Sequence, residues 1–147
     1  MPSRPLNLGA LNVHGCSSIE DKREEIGRLF VRRRMDVLAL CETKIKGKGE
    51  VDFGGVVGRV SGVTRGRCRE GVALLVNPRL NEHVIEWREV GSRIMWVKMK
   101  FGCEEWVFMS VYGPGSENGE EVIERFWGEL NSYLESLGGG SKCCGDG

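Results

Sequence analysis

What this 147-residue sequence lacks narrows its class before any motif is read. No apolar run approaches the ~18 to 20 residues of a helical membrane span, and the opening Met1-Pro2-Ser3-Arg4-Pro5 lacks the apolar stretch of a secretory signal. The expectation is a protein with no membrane association, not secreted, and intracellular, either nuclear or cytoplasmic. The six cysteines, Cys16, Cys41, Cys68, Cys103, Cys143 and Cys144, include no Cys-x-x-Cys pair, which removes the usual spacing for structural zinc or a dithiol redox centre. They read as reduced thiols, Cys143 and Cys144 included, since a structural disulfide between chain neighbours is disfavoured. Histidine is scarce: only His14 and His83 occur. His14 has two readings, a place on the face of Asn12 two residues before it or, preferred, a turn histidine beside Gly15, and His83, among Glu82 and Glu86, offers no functional argument.

Net charge is also missing, since 21 Lys+Arg meet 21 Asp+Glu. The balance conceals an asymmetry. Residues 1–100 hold 19 basic and 12 acidic side chains, whereas residues 101–147 hold 2 and 9. A polyanion-binding face, if present, must come from the first two thirds. With 40% hydrophobic and 29% charged residues the chain suits one globular domain with a real core, and neither a linker nor an internal repeat divides it.

The pattern predicts strands and helices of an α/β domain. Leu6 to Val13 reads as a short strand. Ser17-Ser18-Ile19-Glu20 has the form of a capping box, opening a helix to Arg34 that carries Ile19, Ile26, Leu29 and Phe30 on one face. Arg32, Arg33 and Arg34 then favour the helix C-terminus, a solvated end being preferred to phosphate contact. Asp36 to Cys41 is a continuous apolar run typical of a strand covered on both faces, so the start of the chain forms a βαβ unit. Glu42 to Asp52 reads as a surface loop, followed by apolar segments at 53–63 and 71–77, with Pro78 closing the second. Ile94–Phe101 and Trp106–Tyr112 predict an antiparallel hairpin, with Lys98 and Lys100 giving the first strand a wet face. Asn118 as N-cap opens a second helix with Ile123, Phe126, Trp127, Leu130, Leu134 and Leu137 in one stripe, stopped by Gly138-Gly139-Gly140. At least six strands and two helices result. Trp96, Trp106 and Trp127 are assigned to packing rather than base stacking.

Polar residues end several of these strands. Asn12 closes the first, Glu42 follows the buried one, Tyr112 ends the last before a Pro-fixed loop, and Asp146 follows a thiol-rich run. Lys44, Lys46 and Lys48 alternate beside Glu42, and Arg65, Arg67 and Arg69 alternate before Gly71. Such spacing suits phosphate neutralisation and a solubilising loop equally.

These residues carry a resemblance. Leu11-Asn12-Val13-His14-Gly15 resembles the opening Asn motif of the endonuclease/exonuclease/phosphatase superfamily, and Leu38-Ala39-Leu40-Cys41-Glu42-Thr43-Lys44 is similar to its Glu motif. Glu70-Gly-Val-Ala-Leu-Leu-Val76 resembles its Gly-Val-Ala strand, Val111-Tyr112-Gly113-Pro114 its Tyr motif, and Gly145-Asp146 the start of its Gly-Asp-x-Asn motif. The wording is most similar to endonuclease domains of LINE-type non-LTR retrotransposons and to derived craniofacial-development-type proteins. The resemblance runs over residues 6–147, with 1–5 as a short tail.

It implies a four-layer α/β sandwich of the deoxyribonuclease-I-like type and an Mg²⁺-dependent DNA endonuclease, a monomer acting on DNA, with Mn²⁺ as an alternative ion. Asn12, Glu42, Tyr112 and Asp146 would be catalytic. Glu42 and Asn12 would hold the metal, Tyr112 would donate to a phosphate oxygen, and Asp146 would orient the attacking water. Lys44, Lys46, Arg65 and Arg67 would contact DNA. The family's Asn two residues beyond the Gly-Asp aspartate and its later Ser-Asp-His segment have no counterpart, so the expectation is the N-terminal part of such a domain, truncated before the C-terminal strands, whose own activity stays open. Two other readings remain: a non-catalytic DNA- or protein-binding remnant, and a phosphoesterase of the same superfamily acting on small molecules.

Overall fold

The computed structural model describes residues 5–16, 20–66 and 68–138. It is mixed α/β, with two sheets and two α-helices. The elements are β1 (Leu8–Asn12), α1 (Glu20–Arg32), β2 (Val37–Cys41), β3 (Lys48–Phe53), β4 (Val56–Ser61), β5 (Val72–Val76), β6 (Val84–Glu89), β7 (Ile94–Phe101), β8 (Glu104–Val111) and α2 (Glu120–Gly138), with short 3₁₀ turns at Pro78–His83 and Ser116–Asn118. A five-stranded sheet has the order β1-β2-β5-β4-β3 and a three-stranded sheet the order β6-β7-β8. Among the described strands only β1 and β2 pair in parallel, with α1 as their crossover, so the expected βαβ unit is present.

The apolar run of β2 is explained by its two faces. Leu38 and Leu40 point toward α1, where they meet Ile26 and Phe30 together with Phe53, Val60, Ala73 and Leu75. Val37, Ala39 and Cys41 point the other way. There, with Val72, Leu74 and Val76 of β5, they pack on Met95, Val97, Met99 and Phe101 of β7. A period of two thus serves two cores at once. Among the described residues every buried side-chain nitrogen or oxygen has a partner. Gly27 allows the close seating of α1 on the sheet: a Cβ there would stand 1.8 Å from the Phe53 carbonyl oxygen.

Several expectations need correction. The stretch from Glu42 to Asp52 is not all loop, because Lys48–Phe53 is β3. The segment 53–63 is likewise not one element: β3 and β4 form a hairpin turning at Gly54 and Gly55, both at positive φ. β6 escaped notice for the reason β3 did. Both are edge strands with charged, outward-facing side chains, and an edge needs only one apolar side. The apolar stripe of α2 is narrower than expected: Leu130 is buried and Ile123 and Phe126 are half-buried, but Trp127 and Leu134 are exposed. Asn118 belongs to a 3₁₀ turn, and α2 starts at Glu120. The wet face of β7 is wet only at one end, since Trp96 is buried and its Nε1 donates to the Tyr133 hydroxyl of α2 at 2.7 Å. Cys103, at the β7–β8 turn, is disulfide-bonded and not a free thiol, whereas Cys16, Cys41 and Cys68 are free. The capping residues Ser17, Ser18 and Ile19, and the segment beyond Gly138, lie outside the described residues.

Candidate functional site

Asn12 and Glu42 reach one rim because β1 and β2 run parallel, with Asn12 opposite Cys41. Pairing continues past the strand ends: Val13 N donates to Cys41 O at 3.0 Å, Gly15 N to Glu42 O at 2.7 Å and Cys16 N to Thr43 O at 2.8 Å. On the other flank Thr43 N donates to Gly71 O at 3.1 Å and Lys44 N to Glu70 O at 2.6 Å. Held from both sides, Glu42 and Lys44 take left-handed backbone at φ 58, and nearby His14 does so at φ 50. Non-glycine residues adopt that region rarely, at a cost of about 1–3 kcal/mol that surrounding structure must offset. Three of the four such residues among those described therefore sit at this one rim. Gly71 is required here twice over, since its φ is 95 and a Cβ would meet the buried Thr43 hydroxyl at 2.4 Å.

Tyr112 arrives from the other sheet, just past the end of β8. Its hydroxyl donates to Glu42 Oε1 at 3.1 Å, and Asn12 Nδ2 donates to the same oxygen at 3.4 Å. Glu42 Oε2 faces His14 Nδ1 at 3.6 Å and Lys44 Nζ at 3.9 Å. Burial pushes the Glu42 carboxyl upward, but the hydrogen bonds from Tyr112 and Asn12, with the charges of His14 and Lys44, outweigh it and hold the group below its ordinary range. Burial, and then the bond to Glu42 and its charge, push the Tyr112 phenol up, with Arg93 opposing. The pair is a persistent carboxylate beside a persistent phenol, one acceptor and one donor at neutral pH.

A cleft of about 280 Å³ opens beside the pair, lined by Glu42, Lys44, Cys68, Arg69 and Tyr112. Two of its five residues are cations and one is an anion, a composition suited to a phosphate. A larger groove of about 480 Å³ runs between β1 and α1 past Asn12, His14, Lys22, Arg28 and Arg32, with Glu25 as its acidic exception. Asn12 and His14 thus stand between two basic hollows.

The donor set fits Mg²⁺ in a limited way. This ion takes one or two carboxylates and keeps several waters, and Glu42 is the acidic residue of the cleft. Among the described residues no group of three or more His, Cys, Asp and Glu converges as a dedicated cage. Asn12 is oriented to support Glu42: its Oδ1 accepts from His14 N at 3.0 Å while Nδ2 faces the carboxylate.

Of the residues singled out in the sequence, Asn12, Glu42 and Tyr112 come together. Asp146 and Arg67 lie outside the described residues. Lys44 lines the cleft, whereas Lys46 and Arg65 are exposed and do not. Lys48 is directed elsewhere, its Nζ donating to Glu89 O at 3.2 Å. Sequence reasoning missed the place of Lys22 and Arg28 along the groove, and it gave His14 no part beside Glu42. The four-residue spacing of Arg28 and Arg32 on α1 was the available signal for Arg28. No helix of the described residues is long and apolar enough to cross a membrane. No protein-family model matches the chain, and no curated protein matches it.

Proposed function

We propose that this chain carries the core of a phosphodiester-cleaving site of the endonuclease/exonuclease/phosphatase type, acting on DNA with Mg²⁺ held at Glu42. The observation that carries the reading is the convergence of Asn12 and Tyr112 on one oxygen of Glu42, from separate sheets, at a cleft with Lys44 and Arg69. The packing order of α1, five-stranded sheet, three-stranded sheet and α2 supports the deoxyribonuclease-I-like sandwich that the resemblance implies. Bound at Glu42, Mg²⁺ would stabilise charge on the attacked phosphate. Asn12 and Tyr112 keep the carboxylate ionised and aimed, and Lys44 and Arg69 attract and hold a phosphate oxygen. Asp146 would orient the attacking water. Lys46, Arg65 and Arg67 would extend contact along the DNA backbone.

A plasmid-nicking assay in Mg²⁺ tests this against Glu42→Ala. Nicking by the wild-type chain and not by the variant is expected. Equal nicking by both would place the cutting elsewhere and remove the proposal.

One observation favours a second reading, DNA binding without cutting. Glu42 Oε2 already faces the Lys44 ammonium and the His14 ring, groups that compete with a metal for the same oxygen. Salt-sensitive DNA binding that is equal in wild type and Glu42→Ala, with no nicking by either, would favour it.

A further inference from the structure

Arg93 is the first residue before β7 and lies outside the cleft, yet it holds the residue that meets Glu42. Its Nη1 donates to the Tyr112 carbonyl at 3.0 Å, and its own carbonyl accepts from Tyr112 N at 2.8 Å. Its guanidinium carbon lies 5.3 Å from the centre of the Tyr112 ring and 6.0 Å from that of Phe126 on α2. Tyr112 is therefore gripped by backbone and ring from one side chain.

The second arm of the guanidinium reaches the loop that leads into β5 of the other sheet. Nη2 pairs with Glu70 Oε2 at 2.9 Å, while Glu70 Oε1 accepts from the Ser92 hydroxyl at 2.7 Å. The Glu70 carbonyl in turn accepts from Lys44 N, two residues beyond Glu42, and Gly71 N donates to Ser92 O at 2.9 Å. A chain of contacts thus runs from Tyr112 through Arg93 and Glu70 to the strained turn carrying Glu42. Both side chains of the Arg93–Glu70 pair are about three-quarters buried, at 28% and 27% exposure, so solvent weakens the pair less than it would at an open surface.

We infer that Arg93 is a positioning residue that fixes the Tyr112 phenol against the Glu42 carboxylate. The inference rests on the reading of the Glu42–Tyr112 pair as the working centre. Only a planar fork can serve the carbonyl, the carboxylate and the ring face together; an ammonium at the same place reaches one or two of them. Arg93 touches no cleft surface, so its effect on a phosphate passes through Tyr112.

The chain contains two tyrosines, Tyr112 and Tyr133, so 3-fluorotyrosine incorporation gives two ¹⁹F resonances, assigned with Tyr112→Phe and Tyr133→Phe. At neutral pH, Arg93→Lys is expected to shift or broaden the Tyr112 line and leave the Tyr133 line in place, with Glu42→Gln as the positive control. A Tyr112 line unmoved in Arg93→Lys but moved in Glu42→Gln overturns the inference. If Arg93→Lys fails to fold, Glu70→Gln carries the test, because it cuts the tie to the other sheet and keeps the ring contact; an unmoved line there overturns the inference too. Where nicking is measurable, Arg93→Lys should lower its rate roughly ten- to a hundredfold, as a misplacement on the order of 1 Å does. Absence of nicking with a displaced Tyr112 line counts against the phosphodiesterase reading alone.

Discussion

The Tyr112 hydroxyl and Glu42 Oε1 meet at 3.1 Å across 70 residues of sequence and from different sheets. Two residues before each of them, the Ser110 hydroxyl donates to the Leu40 carbonyl at 2.8 Å in a buried position. The spacing of two puts Ser110 and Tyr112 on one side of their strand, so the buried bond fixes the distance that the part-buried one then closes. One staple sets the register between sheets, and the site lies one strand repeat further toward solvent.

Tyr112→Phe should raise the titration midpoint of Glu42. In the folded chain the carboxyl lies below its ordinary range despite the upward push of burial, because Tyr112, Asn12, His14 and Lys44 favour the ionised form. A depressed folded-state value means that this group stabilises the fold above its unfolded-state value, and that the contribution disappears as pH falls through the folded-state value. Carboxyl ¹³C shifts followed against pH report the midpoint directly. A midpoint in Tyr112→Phe equal to wild type would show that the phenol does not hold the carboxylate.

Ser110→Ala should cost about 1 kcal/mol in stability, the net worth of a buried neutral hydrogen bond, and should also raise the Glu42 midpoint. Urea denaturation measures the first effect. A stability loss without any change at Glu42 would separate the staple from the site and refute the register argument.

Alanine at two helical glycines should act with opposite sign. Gly27→Ala drives a methyl into the Phe53 carbonyl oxygen and is expected to destabilise by about 2–3 kcal/mol, as overpacking does. Gly128→Ala on α2 meets open space and should stabilise by about 0.5–1 kcal/mol through helix propensity. Thermal melts of the two variants settle it, and a Gly27→Ala chain as stable as wild type would mean that α1 sits less closely than described.

DNA binding, if present, should weaken linearly in log–log terms with salt. Lys44→Ala and Arg69→Ala, both at the cleft, should each reduce the slope by about one. Fluorescence anisotropy with a labelled duplex over a salt series gives the slopes, and unchanged slopes would remove the cleft from the DNA path.

Much of the frame was legible in the order of residues. The apolar run at 36–41, the βαβ unit and the β7–β8 hairpin follow from periodicity and turn residues, and Asn12, Glu42 and Tyr112 stand out as polar side chains at or just past strand ends. Edge strands β3 and β6 were illegible because Lys48-Gly-Glu-Val-Asp-Phe53 and Val84-Ile-Glu-Trp-Arg-Glu89 carry apolar side chains toward a core on one side only and charged ones on the other. The inward side of α2 was half legible: Leu130 faces in as expected, but Trp127 lies over the Gly113 loop with much of its surface exposed. Arg93 offered no signal at all, since its partners Tyr112 and Glu70 lie 19 and 23 positions away and on opposite sides of it in sequence.

By itself the sequence determined which segments alternate and which are uniformly apolar, because those patterns need only the periods of strand and helix. It also determined that residues 1–100 are basic and 101–147 acidic. The tertiary structure decided the rest: that Tyr112 reaches Glu42, and that His14 and Lys44 flank the same carboxylate. These depend on how two sheets and α1 are stacked, a relation fixed by shape, hydrogen-bond register and close approach at Gly27 and Gly71. Periodicity says which face a residue takes, and only packing says what it meets there.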